Sequence, residues 1–448
     1  MPEFKLFENL KNFSSKRLKI TEPWTDPCES EDDNTPKKNK RFIIAVSIIL
    51  VCIFLLNLIF SFKKLKENLA YITTPTFPEN QPIKNQDIED QNPNAAQCSY
   101  EDLIVEHINK PSDSDNIQKN IGYQNNKFGL YVYAEVSDYI DKADELANSN
   151  GGEWGYVLIP YNVKDRNLDR WSHVFELLYE KKLIPIIQLW DLDIDDEEEE
   201  LKQIKGSAKF LNSLKWPITK KYISAYNEVN DAKFWKGKID PEGYATVLNT
   251  TIEEFKKLDK DFFIMNGAFN ASARTGGDYL DARTFMRRMH KQMPGIFTRL
   301  DGWASHPYPQ PNFTGSPKAT GRDSIRAYEW ELEILKEDFD VNTDRLPVFI
   351  TETGWPHKEG ENDNRSYLDK YKTADYIKEA FENVWLKDDR IVAVTPFTVR
   401  YDEPFDHFSW ITKEGNNYPQ FDAVKSIKKV KGNPPYVEYS VEKRLVCE

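Results

Sequence analysis

The sequence predicts an α/β fold, a barrel of eight parallel strands alternating with helices, preceded by a single transmembrane helix. Short β-branched and aromatic runs alternate with helical patterns through residues 98–448. Two glutamates, Glu228 and Glu352, come at the ends of two such runs. A separate uncharged apolar run lies near the N-terminus. The alternation is typical of the (β/α)8, or TIM-barrel, class.

The apolar run covers residues 42–62 and reads FIIAVSIILVCIFLLNLIFSF. As a helix it would be about 31 Å long, enough to cross the hydrocarbon core of a bilayer. Its length and lack of charge distinguish it from a buried core helix. Lys63 and Lys64 follow directly and no small-residue cleavage site is present, which distinguishes it from a cleaved signal peptide. We therefore expect a signal anchor.

The orientation of this span is predicted from the residues on its C-terminal side. Basic residues flank both sides, so the positive-inside bias is slight. Four Asn-x-Ser/Thr triplets lie beyond the span and favour a cytoplasmic N-terminus if they are glycosylated: Asn249, Asn270, Asn312 and Asn364. The expected protein is a single-pass protein of the cell membrane with an extracytoplasmic large domain.

Composition divides the chain into four parts. Residues 1–41 are polar, carry both charge signs and are expected to form a disordered cytoplasmic tail. Residues 63–97 include a stretch rich in Pro, Asn and Gln and are expected to form a stalk. Residues 98–448 form the barrel domain. The net charge is −13, and no basic cluster occurs outside the membrane flanks, which argues against nucleic acid as a partner.

Two cysteines flank the barrel domain. Cys98 precedes it and Cys447 follows it. Because the ends of a domain are often close together, we expect a disulfide between them, which suits an oxidising compartment. Two unrelated thiols are the alternative.

The eight candidate strands are defined by short apolar runs. They cover residues 128–134, 154–160, 183–189, 222–226, 262–266, 302–305, 347–351 and 391–397. The helical patterns between and after them cover residues 171–182, 198–214, 243–258, 279–292, 324–338, 367–385 and 421–427. The acidic run at residues 191–200 is expected to open a solvated helix at its later residues, where acidic side chains favour the helix dipole. A doubly wound sheet is the alternative, but no glycine-rich phosphate loop follows the first strand.

Glu228 follows the fourth candidate strand in the motif Tyr226-Asn227-Glu228, and Glu352 ends the seventh in Ile350-Thr351-Glu352-Thr353. The C-terminal strand ends of such a barrel form its functional rim, where two carboxylates can work as proton donor and nucleophile on a sugar. The pattern resembles the clan A glycoside hydrolases, and the Asn-Glu-Val-Asn segment is similar to family 39 and family 5 members. The resemblance covers the whole barrel domain.

The resemblance implies roles for individual residues. Glu228 would be the acid and Glu352 the nucleophile of a retaining enzyme, with carboxyl groups about 5–5.5 Å apart. Glu228 is expected to have the raised pKa, while Glu352 stays ionised. The remaining implied roles concern the sugar and the nucleophile: Asn227 would hold the 2-hydroxyl, Tyr308 would hydrogen-bond Glu352, His306 would line the site, and Trp355 and Trp410 would contact substrate. No metal and no cofactor is expected, and the partner is an oligosaccharide or polysaccharide.

Three other functions are possible on this sequence. A metal-dependent barrel hydrolase could use His306, His357 and His407, although no His-x-His or His-Glu-x-x-His spacing occurs. A non-catalytic glycan-binding barrel would be expected to lack one of the two carboxylates. A transglycosylase would use the same two glutamates with a second sugar in place of water. The sugar, its linkage and the position of cleavage depend on loops such as residues 266–278 and 307–323.

Overall fold

The computed structural model describes residues 98–110, 118–134 and 136–447. The predicted tail, the predicted span at residues 42–62 and the predicted stalk lie outside these residues. In the described part, no helix is both long and apolar enough to cross a bilayer. The signal anchor and its orientation therefore stay predictions.

Eight parallel strands form a closed ring within the described residues. They are β2 Gly129–Tyr131, β3 Gly155–Asn162, β4 Leu183–Trp190, β5 Lys221–Asn227, β6 Phe262–Ala268, β7 Trp303–Ser305, β8 Val348–Ile350 and β9 Ile391–Val394. Regular pairing joins β2 through β6 and β7 through β9. Parallel bridges between Met265 and Gly302 and between Phe128 and Val394 close the ring. All eight predicted strands are confirmed, although β2 and β9 end three residues earlier than predicted.

Helices follow the strands on the outside of the ring. They are α1 Ser137–Ala147, α2 Leu168–Glu180, α3 Glu197–Asn212, α4 Pro241–Leu258, α5 Ala282–Gln292, α6 Ala327–Phe339, α7 Lys370–Asn383 and α8 Pro419–Lys425. The sequence patterns predicted all of them except α1. The acidic run begins α3 as expected: the Asp196 side chain accepts hydrogen bonds from the backbone N–H groups of Glu198 and Glu199, and four glutamates occupy the first turn.

The alternating sides of each strand divide the core into two layers. Tyr156 and Leu158 of β3 point into the barrel, whereas Val157 and Ile159 pack against the helices. In β4 the inward residues are Ile184 and Ile186. The next residue on that side is Gln188, so the pleat of the strand directs a polar side chain to the C-terminal mouth of the barrel.

The two ends of the described chain pair with each other outside the barrel. β1 Cys98–Asn109 and β10 Tyr436–Cys447 form an antiparallel ribbon with one register throughout, from Cys98 opposite Cys447 to Asn109 opposite Tyr436. The sequence patterns did not predict this ribbon. It brings the start and the end of the barrel chain together.

Candidate active site

The predicted carboxylates both lie at the C-terminal mouth of the barrel. Glu228 directly follows β5, the fourth strand of the ring, and Glu352 comes two residues after β8, the seventh. Their side chains are 12% and 11% exposed. His306 directly follows β7, the sixth strand of the ring, and its side chain is fully buried. Strand order alone therefore brings the three groups to one rim.

The imidazole of His306 lies between the two carboxylates. Its Nδ1 is 3.2 Å from Oε1 of Glu228, within hydrogen-bonding distance. Its Nε2 is 3.7 Å from Oε1 of Glu352, an ion-pair distance without hydrogen-bond geometry. One ring thus contacts both candidate catalytic groups. The two carboxylates therefore lie on either side of one imidazole at the mouth of the barrel.

Two neutral donors hold Glu352. The hydroxyl of Tyr308 donates to Oε2 over 3.2 Å, which is the hydrogen bond that the resemblance implied. The side-chain amide of Gln188 donates to Oε1 over 3.3 Å and also to Oδ1 of Asn227 over 3.0 Å. Gln188 therefore links Asn227 to Glu352. The sequence patterns gave no sign of Gln188, because its role depends on which side of β4 it occupies.

Burial dominates the protonation of Glu352. Burial raises the pKa of Glu352 above the usual glutamate range, and a charge on Glu228 raises it further. A protonated His306 and the hydrogen bonds from Gln188 and Tyr308 lower this pKa, but they do not cancel the effect of burial. Glu352 is thus harder to ionise than we expected from the sequence.

The two carboxylates also raise the pKa values of His306 and Tyr308. Burial alone would lower the pKa of His306, but the charges of Glu352 and Glu228 outweigh it, so the pKa of His306 is raised. Burial and the same two charges raise the pKa of Tyr308 well above its ordinary value. Tyr308 therefore keeps its proton and acts as a hydrogen-bond donor.

The two predicted tryptophans are almost fully buried. Trp355 is 3% exposed, and its Nε1–H donates to the backbone oxygen of Gly315 over 2.8 Å. Trp410 is also 3% exposed and packs in the layer between barrel and helices. His306 is equally buried at 2%, so burial does not decide the predicted sugar contacts and both stay predictions.

Other aromatic rings also lie near the C-terminal ends of the strands. Phe397 lies three residues after β9, is partly exposed, and its ring makes an edge contact with Tyr131 at 5.1 Å between centroids. The ring of Tyr401 lies 5.8 Å from Phe397 and 5.7 Å from Tyr133. Aromatic rings of this kind offer apolar faces to the C–H groups of a sugar. The aromatic content of the sequence predicted such a surface, and Phe397, Tyr131, Tyr133 and Tyr401 are further candidates for it.

The fold separates His306 from the other two histidines of the metal alternative. His306 contacts the glutamates, whereas Nε2 of the buried His357 lies 3.0 Å from the backbone oxygen of Ser409. His407 lies beside His357 and hydrogen-bonds the backbone oxygen of that residue. Over the described ranges, no group of three or more His, Cys, Asp or Glu side chains is arranged to hold a metal ion.

Comparison with known proteins gives distant structural similarity. No protein-family model matches the chain. No curated protein matches it either. Solved structures do match: a monomeric β-xylosidase from Caulobacter crescentus CB15 has 14% identity and a TM-score of 0.47, with 74% of this chain and 72% of that chain covered.

Two further solved structures are similar in the same range. A broad-specificity GH5-4 endoglucanase from Clostridium acetobutylicum has 16% identity and a TM-score of 0.45, with 67% of this chain and 96% of that chain covered. A GH128 endo-β-1,3-glucanase from Pseudomonas viridiflava has 14% identity and a TM-score of 0.42, with 67% and 97% covered. At these identities and TM-scores the similarity carries no argument about activity, which depends on the geometry of the site.

Proposed function

We propose that this protein is a retaining glycosidase that cleaves β-linked glycans through a covalent intermediate on Glu352. The observation that carries the proposal is the shared imidazole: His306 lies within 3.2 Å of Glu228 and 3.7 Å of Glu352, at the ends of the fourth and seventh strands of one barrel. Two carboxylates that line one cleft are the minimum equipment for glycoside cleavage.

The surroundings of each carboxylate support its role. Glu352 accepts hydrogen bonds from Tyr308 and Gln188, so its orientation is fixed, as a nucleophile requires. His306 is the hydrogen-bonding side chain that contacts Glu228 in the described structure. Because Glu228 has fewer hydrogen-bond partners than Glu352, it can give a proton to the leaving oxygen and later take one from water.

The reaction then proceeds in two displacements. An oxygen of Glu352 attacks the anomeric carbon, the bond to the leaving oxygen breaks, and Glu228 gives its proton to that oxygen. Water next attacks the anomeric carbon, Glu228 takes a proton from it, and the bond to Glu352 breaks. With a sugar hydroxyl in place of water, the same steps give transglycosylation.

Protonated His306 favours the ionised form of Glu352 that attacks the sugar. Burial raises the pKa of Glu352, and the positive charge of His306 is the largest effect that opposes this rise. As Glu352 forms its bond to carbon, its negative charge disappears. His306 then remains beside Glu228, which it contacts through Nδ1.

The test is a panel of aryl β-glycosides and β-linked polysaccharides with the full-length chain. Glu352→Gln should abolish turnover of every substrate that the parent cleaves. Glu228→Gln should retain the first step on activated aryl glycosides, whose leaving group hardly needs a proton, and added azide should restore the second step. The first anomer released, followed by NMR, should have the configuration of the substrate. Near-normal activity in both variants would exclude the assignment.

We also propose that the barrel is held outside the cell by the predicted span at residues 42–62 and is closed by a Cys98–Cys447 disulfide. The ribbon register supports the disulfide, because opposite Cα atoms of antiparallel strands are about 4.5–5.5 Å apart and disulfides need about 4.4–6.8 Å. Non-reducing peptide mapping tests the bond. Protease added to intact cells should remove the barrel; if it removes only residues 1–41, the orientation is reversed.

A further inference from the structure

A contact between a lysine and two aromatic rings joins loops that start on opposite sides of the barrel mouth. The ammonium group of Lys233 lies 4.9 Å from the centre of the Phe234 ring and 5.1 Å from the centre of the Phe405 ring. Lys233 and Phe234 follow β5, the fourth strand of the ring, and Phe405 follows β9, the eighth. In a closed ring of eight strands, the fourth and the eighth lie opposite each other. We call these three residues the clasp.

The clasp has to cross the open mouth to make this contact. Strands that are about 4.8 Å apart and tilted by about 36° give a ring of eight a diameter of about 15 Å between backbones. In either direction around the rim, the loops of three other strands lie between the loop after β5 and the loop after β9. The two loops therefore meet over the mouth rather than along its edge.

One end of the clasp is tied to the candidate acid. The backbone N–H of Asp231 donates to the backbone oxygen of Glu228 over 2.8 Å, which makes a tight turn directly after the acid. The side chain of Asp231 then accepts from the backbone N–H of Lys233 over 2.9 Å. Lys233 is thus held one turn of chain beyond Glu228.

The other end of the clasp lies next to rings that approach the candidate nucleophile. The ring of Phe405 makes edge contacts with Tyr401 at 5.6 Å and with Phe397 at 6.1 Å between centroids. Burial raises the pKa of Tyr401, and the charge of Glu352 raises it further, so Tyr401 lies close enough to Glu352 to respond to its charge. The clasp therefore runs between neighbours of both carboxylates.

The loop that carries Lys233 is fixed by the loops on both of its sides. Lys238 pairs with Asp195 of the loop after β4. The backbone N–H of Ala232 donates to the backbone oxygen of Asp278, in the loop after β6, over 2.9 Å. Within the described residues, in contrast to Lys238, no carboxylate pairs with the ammonium group of Lys233, which lies against aromatic rings instead. A cation over a ring is attracted by the negative face of that ring, so the contact holds the two loops together.

We propose that the clasp restricts cleavage to the ends of glycan chains, with Lys233 and Phe405 as the residues that determine this specificity. The inference rests on the proposed function and deepens it. A glycan has to pass beneath the clasp to reach Glu228 and Glu352. The end of a chain enters from the side. An internal segment continues in both directions, so it is not laid into the mouth from above while the clasp joins the two loops.

The test measures where a labelled oligosaccharide is cut. The full-length chain is incubated with a hexasaccharide of the β-linkage that it cleaves, labelled at the reducing end, and the first products are identified by mass spectrometry. The parent should cut at one end of the chain. Lys233→Ala and Phe405→Ala should each raise the share of internal cuts by about fivefold or more, because each removes one half of the clasp. On a p-nitrophenyl β-glycoside, which enters whether or not the clasp is present, kcat/KM should change by less than about twofold.

Two further variants control for general effects on the loop. Lys238→Ala removes a lysine from the same loop, but that lysine joins two neighbouring loops, so the variant should cut where the parent cuts. Lys233→Arg keeps a cation that lies over aromatic rings, so it should also keep the parent's pattern. Internal cutting by the parent, or an unchanged pattern in either alanine variant, would overturn the inference.

A binding measurement separates this inference from the proposed function. The β-linked polysaccharides of the substrate panel are titrated calorimetrically into Glu352→Gln, alone and combined with Phe405→Ala. With the clasp present, the number of protein molecules bound per chain should not exceed the number of chain ends. Without it, the number should rise by about fivefold or more, because internal segments of a long chain become binding sites.

The two measurements together distinguish the possible failures. If the parent cuts no glycoside but the number bound per chain rises when Phe405 is replaced, the proposed function is wrong and the clasp stands. If the parent cuts glycosides and the number bound per chain is the same in both proteins, the clasp is wrong and the function stands. Failure both to bind and to cut overturns both.

Discussion

The inside of the barrel holds a buried polar cluster at each end, and the two are satisfied to different degrees. At the N-terminal end, the hydroxyl of Tyr123 hydrogen-bonds that of Tyr222 at 3.1 Å, and the hydroxyl of Tyr156 donates to Asn125 over 2.6 Å. At the C-terminal mouth, Nε2 of His306 is buried without a hydrogen-bond partner, and burial raises the pKa of Glu352.

We interpret the tyrosine cluster as a polar core that stabilises the fold, and the cluster at the mouth as one whose groups are available for chemistry. Buried polar groups cost little when each has a partner and several kcal/mol when they do not. The tyrosine cluster contains neutral groups and closes the strand starts. The mouth contains two carboxylates that no arginine or lysine side chain pairs with in the described structure. Substitutions at the two ends should therefore have opposite effects on stability and activity.

The largest expected effect is that of Glu352→Gln. Loss of the nucleophile should lower activity by more than about a thousandfold. The free energy of unfolding at neutral pH should stay the same or rise, because a neutral amide replaces a buried carboxylate that resists ionisation. Enzyme assays and urea unfolding measure the two quantities. A variant that loses stability and keeps activity would show that the mouth is a structural cluster like the tyrosines.

The pH dependence of kcat/KM tests whether burial raises the pKa of Glu352. Glu352 must be ionised to attack, so activity should fall as pH decreases through its pKa, about tenfold per pH unit. Because burial raises this pKa, the acid limb should lie above the ordinary glutamate value of 4.5. His306→Asn removes a charge that lowers the pKa, so it should move the limb to still higher pH. An acid limb below 4.5 in the parent would contradict the role of burial.

Glu331 tests whether a second buried carboxylate, outside the candidate site, also resists ionisation. This residue of α6 is fully buried and accepts a hydrogen bond from Nε1 of Trp303 over 2.9 Å. Burial raises the pKa of Glu331 to about 7. Since the folded-state pKa exceeds the unfolded one, its stabilising contribution is complete below about pH 4 and is lost as pH rises through 7, a change of roughly 3 kcal/mol.

Glu331→Gln should remove that part of the pH dependence of unfolding. The amide oxygen can still accept from Trp303, so the variant should be more stable than the parent above pH 7 and similar to it near pH 5. Urea unfolding at several pH values measures this. Parallel curves for variant and parent would mean that Glu331 does not titrate in this range.

Tyr308→Phe and Tyr222→Phe form a matched pair of substitutions across the two ends. Tyr308→Phe removes a hydrogen bond to a charged group, about 1.5–3 kcal/mol, so kcat should fall roughly tenfold to a hundredfold. Its unfolding free energy should change little, because the phenyl ring still packs against Phe408. An unchanged kcat would remove Tyr308 from the proposed mechanism.

Tyr222→Phe should have the smallest effect. In contrast to Tyr308→Phe, it should lower stability and leave activity unchanged. The substitution removes one neutral hydrogen bond, worth about 1 kcal/mol, and Tyr123 keeps Tyr156 as a neighbour at 3.4 Å. Activity should be unchanged, and the urea midpoint should fall without a change in m-value. A large loss of activity would show that the tyrosine cluster affects the candidate active site at the other end of the barrel.

Local sequence signals were sufficient for most of the barrel. The strands are short apolar runs, and the residues after them must lie on the rim, so Glu228, His306, Tyr308 and Glu352 could be placed without coordinates. Gln188 could not be placed, because its approach to Glu352 depends on the pleat and on the curvature of β4. The position of Trp410 depends on the path of the loop after β9, which residue type does not reveal, so its predicted role stays untested.

The ribbon shows a second limit of sequence reasoning. β1 and β10 are separated by the entire barrel, and neither strand has a local partner that a pattern could detect. The missed helix α1 is different: its side chains are amphipathic, and it begins after the predicted end of the first strand, so its local pattern was detectable.

Because of the ribbon, the barrel should tolerate a circular permutation, in which the strands keep their neighbours but occur in a different order along the chain. Because Asn109 lies opposite Tyr436, the polypeptide enters and leaves the barrel at one point, and the ring of strands has no natural beginning. In the barrel domain alone, a short turn could join residues 98 and 447, with new ends opened between the exposed residues Asp344 and Arg345, away from the mouth. Such a circular permutant keeps every strand neighbour and both carboxylates while changing which strand the ribosome makes first.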